Sequence, residues 1–132
     1  MTIGEYFEVA VSLRLTGAFE PDRVTAALGL APSAQWRTGQ PGAAPKLRRS
    51  SDGWVLKLVD NVGRVDDSVH AAVDRLKEID ARLRPILDDP SVSGYLAVSV
   101  DTPANCWPSI ALSSSTLSFL ASTGLSFDID VM

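Results

Sequence analysis

Residues Phe7, Val9, Val11, Leu13 and Leu15 alternate with Tyr6, Glu8, Ala10, Ser12 and Arg14, and a period of two is what a strand with one buried and one wet face requires. The same alternation closes the chain, with Leu125, Phe127, Ile129 and Val131 set against Ser126, Asp128 and Asp130. Both ends are thereby committed to a sheet, and the middle must return the chain to it. Three shorter segments share the pattern: Trp54, Leu56 and Leu58; Leu96, Val98 and Val100; and Ile110 with Leu112. Five strands are expected. Clean alternation points to an antiparallel or mixed sheet with one open face, because parallel strands covered on both sides read as continuous apolar runs.

Three helices are expected on the other face. The first starts at Pro21, carries Val24, Ala27 and Leu28, and stops at Gly29, with Pro32 preventing any resumption. The second repeats Val69, Ala72, Val73, Leu76, Ile79 and Leu83 at helical spacing behind Asp66 and Asp67, and Arg82, Arg84 and Pro85 mark its end. Glu78 with Arg82, and Asp80 with Arg84, are oppositely charged pairs at the helical i,i+4 spacing. The third runs from a Ser114 or Ser115 cap through Leu117 and Leu120 to Gly124. The expected fold class is α+β, a two-layer, mostly antiparallel five-stranded sheet with three helices on one face. The echo between Leu28-Gly29-Leu30 and Thr123-Gly124-Leu125 suggests a ferredoxin-like variant.

With 132 residues, 45% of them hydrophobic and 21% charged, the chain suits one domain with one core and excludes disordered and fibrous classes. No stretch has the apolar run of about 20 residues that spans a bilayer. The first fifteen residues carry Glu5 and Glu8, unlike the basic start and apolar stretch of an export signal. The lone Cys106 fits a reducing compartment, so a cytoplasmic location is expected. One segment breaks the periodicity, the loop at about 31–53, with Pro32, Pro41, Pro45, Gly39, Gly42 and Gly53. Loops of that length often carry function. Its Arg37, Lys46, Arg48 and Arg49 against Asp52 give it a net charge of +3 in a chain of −4.

The alternating first strand, the helix ending in Leu28-Gly29-Leu30, then Ala31-Pro32-Ser33, Trp36-Arg37-Thr38-Gly39 and Trp54 resemble the bacterial domain of unknown function 4279. Ile110-Ala111-Leu112-Ser113, the helix with Leu117, Phe119 and Leu120, and Gly124 leading into Phe127-Asp128-Ile129-Asp130 are similar to that family's closing segment. The chain departs from the family pattern at Glu20, where a short cap is usual, and in the Pro/Gly insertion between Gly39 and Trp54. The resemblance implies a fold and no established activity, and proteins of this size suit immunity or interaction roles.

Among the residues, Trp36, Arg37, Gly39 and Trp54 are the candidate binding set, since Trp is amphipathic and an Arg fork fits carboxylate or phosphate. The competing reading is that the two tryptophans pin the loop to the sheet while Arg37 pairs a nearby carboxylate. Glu8, Asp101, Asp128 and Asp130 fall on the polar phase of their strands, which fits a solvated sheet face better than a metal site. His70 is the sole histidine and sits one residue off the apolar stripe, where exposure is expected; a triad is not. Cys106 has no basic neighbour to activate it. Lys46, Arg48 and Arg49 near Trp54 form a small basic patch, but a pI near 4.8 opposes nucleic-acid binding. No catalytic residues, metal or cofactor are expected, and enzyme activity is disfavoured. The leading expectation is a non-catalytic module that binds a protein partner of basic character, of immunity type among others, with a homodimer left open. The alternative is a small-molecule binder or enzyme with a pocket at Trp36, Arg37 and Trp54 under the loop.

Overall fold

The computed structural model describes residues 7–42, 48–103 and 106–132. The elements run β1 (Phe7–Gly17), α1 (Pro21–Leu28), β2 (Ala34–Trp36), β3 (Asp52–Gly63), α2 (Val65–Leu87), β4 (Val92–Asp101), α3 (Ser114–Thr123) and β5 (Ser126–Val131). They form a five-stranded sheet in the order β2-β3-β1-β4-β5. The strongly alternating β1 occupies the centre, antiparallel to both β3 and β4. β2 is antiparallel to β3, and β5 is parallel to β4. Parallel neighbours need a crossover, and α3 lies within this one. The architecture is thus α+β with a mixed sheet and three helices.

One face of the sheet is covered. Val9, Val11, Leu13 and Leu15 of β1 are at most 1% exposed and pack with Val69, Val73, Leu76 and Leu83 of α2, while α1 and α3 contact α2 from either side. Each such aliphatic side chain contributes about 1.5–3 kcal/mol by leaving water. A bulge lies where Val11 pairs with Val59 and Ser12 with Lys57. The extra residue, Leu58, is buried, and the phase of β3 changes there. Before it Trp54 and Leu56 lie opposite buried β1 residues; after it Val59 and Asn61 do.

The helix ends follow the sequence closely. Gly29 and Gly124 cap α1 and α3 in the left-handed region at φ of +68° and +84°. The cap of α3 is Ser113, one residue earlier than expected, accepting from the Thr116 N–H at 3.2 Å. α2 runs past Pro85 to Leu87, because a proline in the last turn removes a single hydrogen bond where few remain to lose. Asp80 and Arg84 pair at 2.8 Å as expected. Arg82 instead donates to the Leu28 carbonyl at 2.8 Å, capping α1 rather than meeting Glu78.

Ile110 and Leu112 are not a strand. They pack against the core beside the start of α2, where the Ala111 N–H donates to Asp66 Oδ1 at 3.1 Å. Two apolar residues alternating beside a proline satisfy a period of two without pairing. The fifth strand is Ala34–Trp36, inside the segment expected to lack periodicity. Its three residues are too few to show a period.

Candidate functional site

Trp36 and Trp54 stand on opposite faces of the sheet. Trp54 pairs in register with Leu15, points to the helices and is fully buried, its Nε1–H donating to Thr25 Oγ1 of α1 at 3.0 Å. Trp36 pairs with Gly53, which belongs to the opposite phase. Its ring lies on the uncovered face, with the Arg49 guanidinium 4.1 Å and the Arg14 guanidinium 5.5 Å from the ring centroid. A Cβ on residue 53 would fall about 2 Å from two Trp36 ring carbons, so glycine is what lets the indole lie flat on β3. The pocket expected from Trp36, Arg37 and Trp54 together is therefore divided by the sheet itself.

Arg37 points back to α1. Its guanidinium lies 2.6 Å from Glu20 and 3.3 Å from Asp22, and its N–H donates to Gln40 Oε1 at 2.7 Å. The departure at Glu20 has a use here, since this longer cap both accepts from the Asp22 N–H and reaches Arg37. The pairs are exposed and contribute at most about 1 kcal/mol each. Gly39, in the left-handed region at φ +88°, donates to the Arg49 carbonyl at 2.8 Å. With the Arg49 N–H on the Gln40 carbonyl and a bridge between Pro41 and Arg48, the loop continues the β2–β3 pairing outward. Lys46 and Pro45 lie outside the described residues.

Asp52 holds this arrangement and was not singled out by any sequence pattern. Its Oδ1 accepts from the Thr38 N–H at 2.8 Å and hydroxyl at 3.1 Å, and its Oδ2 from the Phe19 N–H at 2.9 Å. The Thr38 backbone N–H first, and the Phe19 N–H second, stabilise the charged form and hold this carboxyl below its usual range. The stack of Arg49 on Trp36 was equally hidden, since it joins residues separated by a loop.

The acidic residues of the polar phase do converge on the open face. Glu8 stands directly opposite Asp101, Asp128 lies beside Ala97, and Asp130 beside Ser99. Among the described residues none of the four has an ion-pair or side-chain hydrogen-bond partner. Directly opposed like charges cost about 0.2–1 kcal/mol. Between Arg14 and the Asp128 and Asp130 pair, a depression of about 290 Å³ has a floor of Ala10, Ser12, Ala97 and Ser99. A larger groove of about 560 Å³ runs between α1 and the end of α2, lined by Phe19, Val24, Ala27 and Ile86. Three of its four charged lining residues are engaged within the fold: Glu20 with Arg37, Arg82 with Leu28, and Asp89 with Ser91.

His70 is half-buried rather than exposed, and its Nε2 has no hydrogen-bond partner among the described residues. Cys106 packs, partly buried, against the core. Among the described residues no group of three or more His, Cys, Asp or Glu is placed to hold a metal ion, and no helix is long and apolar enough to cross a membrane. No curated protein matches the sequence. The chain matches the family described as Domain of unknown function (DUF4279) over residues 5–132, and so belongs to it.

Proposed function

We propose that this protein is a non-catalytic interaction module, acting in the cytoplasm, whose uncovered sheet face recognises a basic protein partner. The observation that carries the reading is the opposition of Glu8 and Asp101 across β1 and β4, with Asp128 and Asp130 on the same face and no cation paired to any of them among the described residues. Such a face opposes its own folding slightly and becomes favourable when a partner supplies counter-charge, which also speeds encounter and selects the partner. An immunity-type role, in which the face blocks a basic toxin domain, is one form of this function. The strand path from β1 to β4, two β-α-β units with each second pair interleaved, fits a ferredoxin-like core extended by α3 and β5.

The small-molecule alternative retains only the Trp36 side of its pocket, since Trp54 serves the core. Affinity capture from native lysate tests the choice, using the wild type, a Glu8→Lys/Asp101→Lys variant and an Asp74→Lys/Glu78→Lys control on α2. A basic protein held by the wild type and the α2 control, lost by the sheet variant and released by salt, is the expected result. Equal retention by all three contradicts the reading.

A further inference from the structure

We propose that the outer edge of β5 is where such a partner docks, by adding an extended basic segment to the sheet as a sixth strand. The proposal rests on the basic-partner reading and supplies the place and manner of contact. The two sheet edges differ in what they offer: β2 has three residues, β5 has six. Just past the end of β5, Met132 donates to the Val100 carbonyl and accepts from the Thr102 N–H. Strand alternation then directs the N–H and C=O groups of Phe127, Ile129 and Val131 away from β4. Among the described residues no strand pairs with that side. A row of unpaired backbone groups is a template for strand addition.

The side chains state what the incoming strand must carry. On the open face, Asp128 and Asp130 ask for Lys or Arg at alternate positions. On the helix face, Phe127 is 37% exposed and Ile129 and Val131 are half-buried, so the intervening residues should be apolar.

A second copy of the chain does not meet these terms. Antiparallel pairing about a two-fold axis sets residues of the same parity opposite one another. The registers centred on Asp128, Ile129 or Asp130, which pair the most residues of 126–132, therefore bring Asp128 against itself, Asp128 against Asp130, or Asp130 against itself. These are non-hydrogen-bonded positions, where Cα atoms approach to about 4.5 Å. The same two carboxylates that reject self-pairing attract a basic strand, so repulsion and attraction act together in specificity.

The probe is a synthetic octapeptide alternating Lys and Val, compared with its Glu-for-Lys counterpart and with a copy N-methylated along one edge. Binding is followed by polarisation and by amide signals of the labelled full chain. The Lys peptide should bind, slow exchange at the Phe127, Ile129 and Val131 amides, and lose roughly tenfold or more in affinity on N-methylation. An Asp128→Asn/Asp130→Asn variant should bind it more weakly and self-associate in sedimentation, while the wild type stays monomeric. N-methylated peptide binding as tightly as its parent, with signals moving at Glu8 and Asp101 instead, overturns edge docking and leaves the basic-partner reading standing. No binding of the Lys peptide, or equal binding of the Glu peptide, also overturns edge docking, while the basic-partner reading is judged by the Glu8 and Asp101 reversal. A monomeric Asn variant contradicts the self-exclusion argument.

Discussion

Trp54 and Trp36 are neighbours across two strands and live in different solvents. Trp54 is sealed between β3 and α1, its one polar atom satisfied by Thr25. Trp36 lies on the bare face with two guanidinium groups beside it. The difference is one step of strand phase, because the pleat sends Gly53 and Trp54 to opposite sides. One face is built to hold the fold together, and the other carries four carboxylates that have no ion-pair partner among the described residues.

The contrast is most easily broken by truncation. Trp54→Ala should cost about 3–5 kcal/mol in urea unfolding, and Trp36→Ala no more than about 1 kcal/mol. Equal losses would mean that both faces are structural. A smaller effect is expected from Gly53→Val, which forces Trp36 off β3 at a cost of about 1–3 kcal/mol. Its signature is indole fluorescence shifted toward that of a solvated ring, and an unshifted spectrum would show that the close approach is not required.

Acid sharpens the comparison at the loop. Because the folded Asp52 carboxyl is held below its ordinary range, its contribution is present above the unfolded value and is lost as pH falls through the lowered folded value. The Thr38 and Phe19 amides should lose protection from exchange in that window, after correction for intrinsic rates, while Asp52→Asn should show no such step. Smallest of all, Arg37→Ala should cost less than about 1 kcal/mol and nothing measurable in high salt, since its partners are exposed.

Much of this architecture was legible where periodicity is long. β1, β5, the stripe of α2 and the Gly29 and Gly124 stops all rest on repeated spacing or on a conformation that glycine favours. Ala34–Trp36 was illegible because three residues carry no period, and Ile110 with Leu112 imitated a strand for the same reason. The candidate site was half legible. Polar phase placed Glu8, Asp101, Asp128 and Asp130 on one face, and the pairing of Arg37 with a carboxylate was foreseen as the competing reading. The grouping of Trp36 with Trp54 failed because their sides depend on pairing with Gly53 and Leu15, which sequence proximity does not reveal. Asp52 was hidden for a related reason: its donors, Thr38 and Phe19, are remote in sequence.

The central claim is that the carboxylates of the bare face are free for a partner and do nothing for folding. Urea unfolding of a Glu8→Gln/Asp101→Asn variant tests it directly. The expected midpoint equals or slightly exceeds that of the wild type, because an opposed pair of like charges is removed. A midpoint lowered by the equivalent of about 1 kcal/mol or more would show that these residues belong to the fold, and the interaction reading of this face would fall.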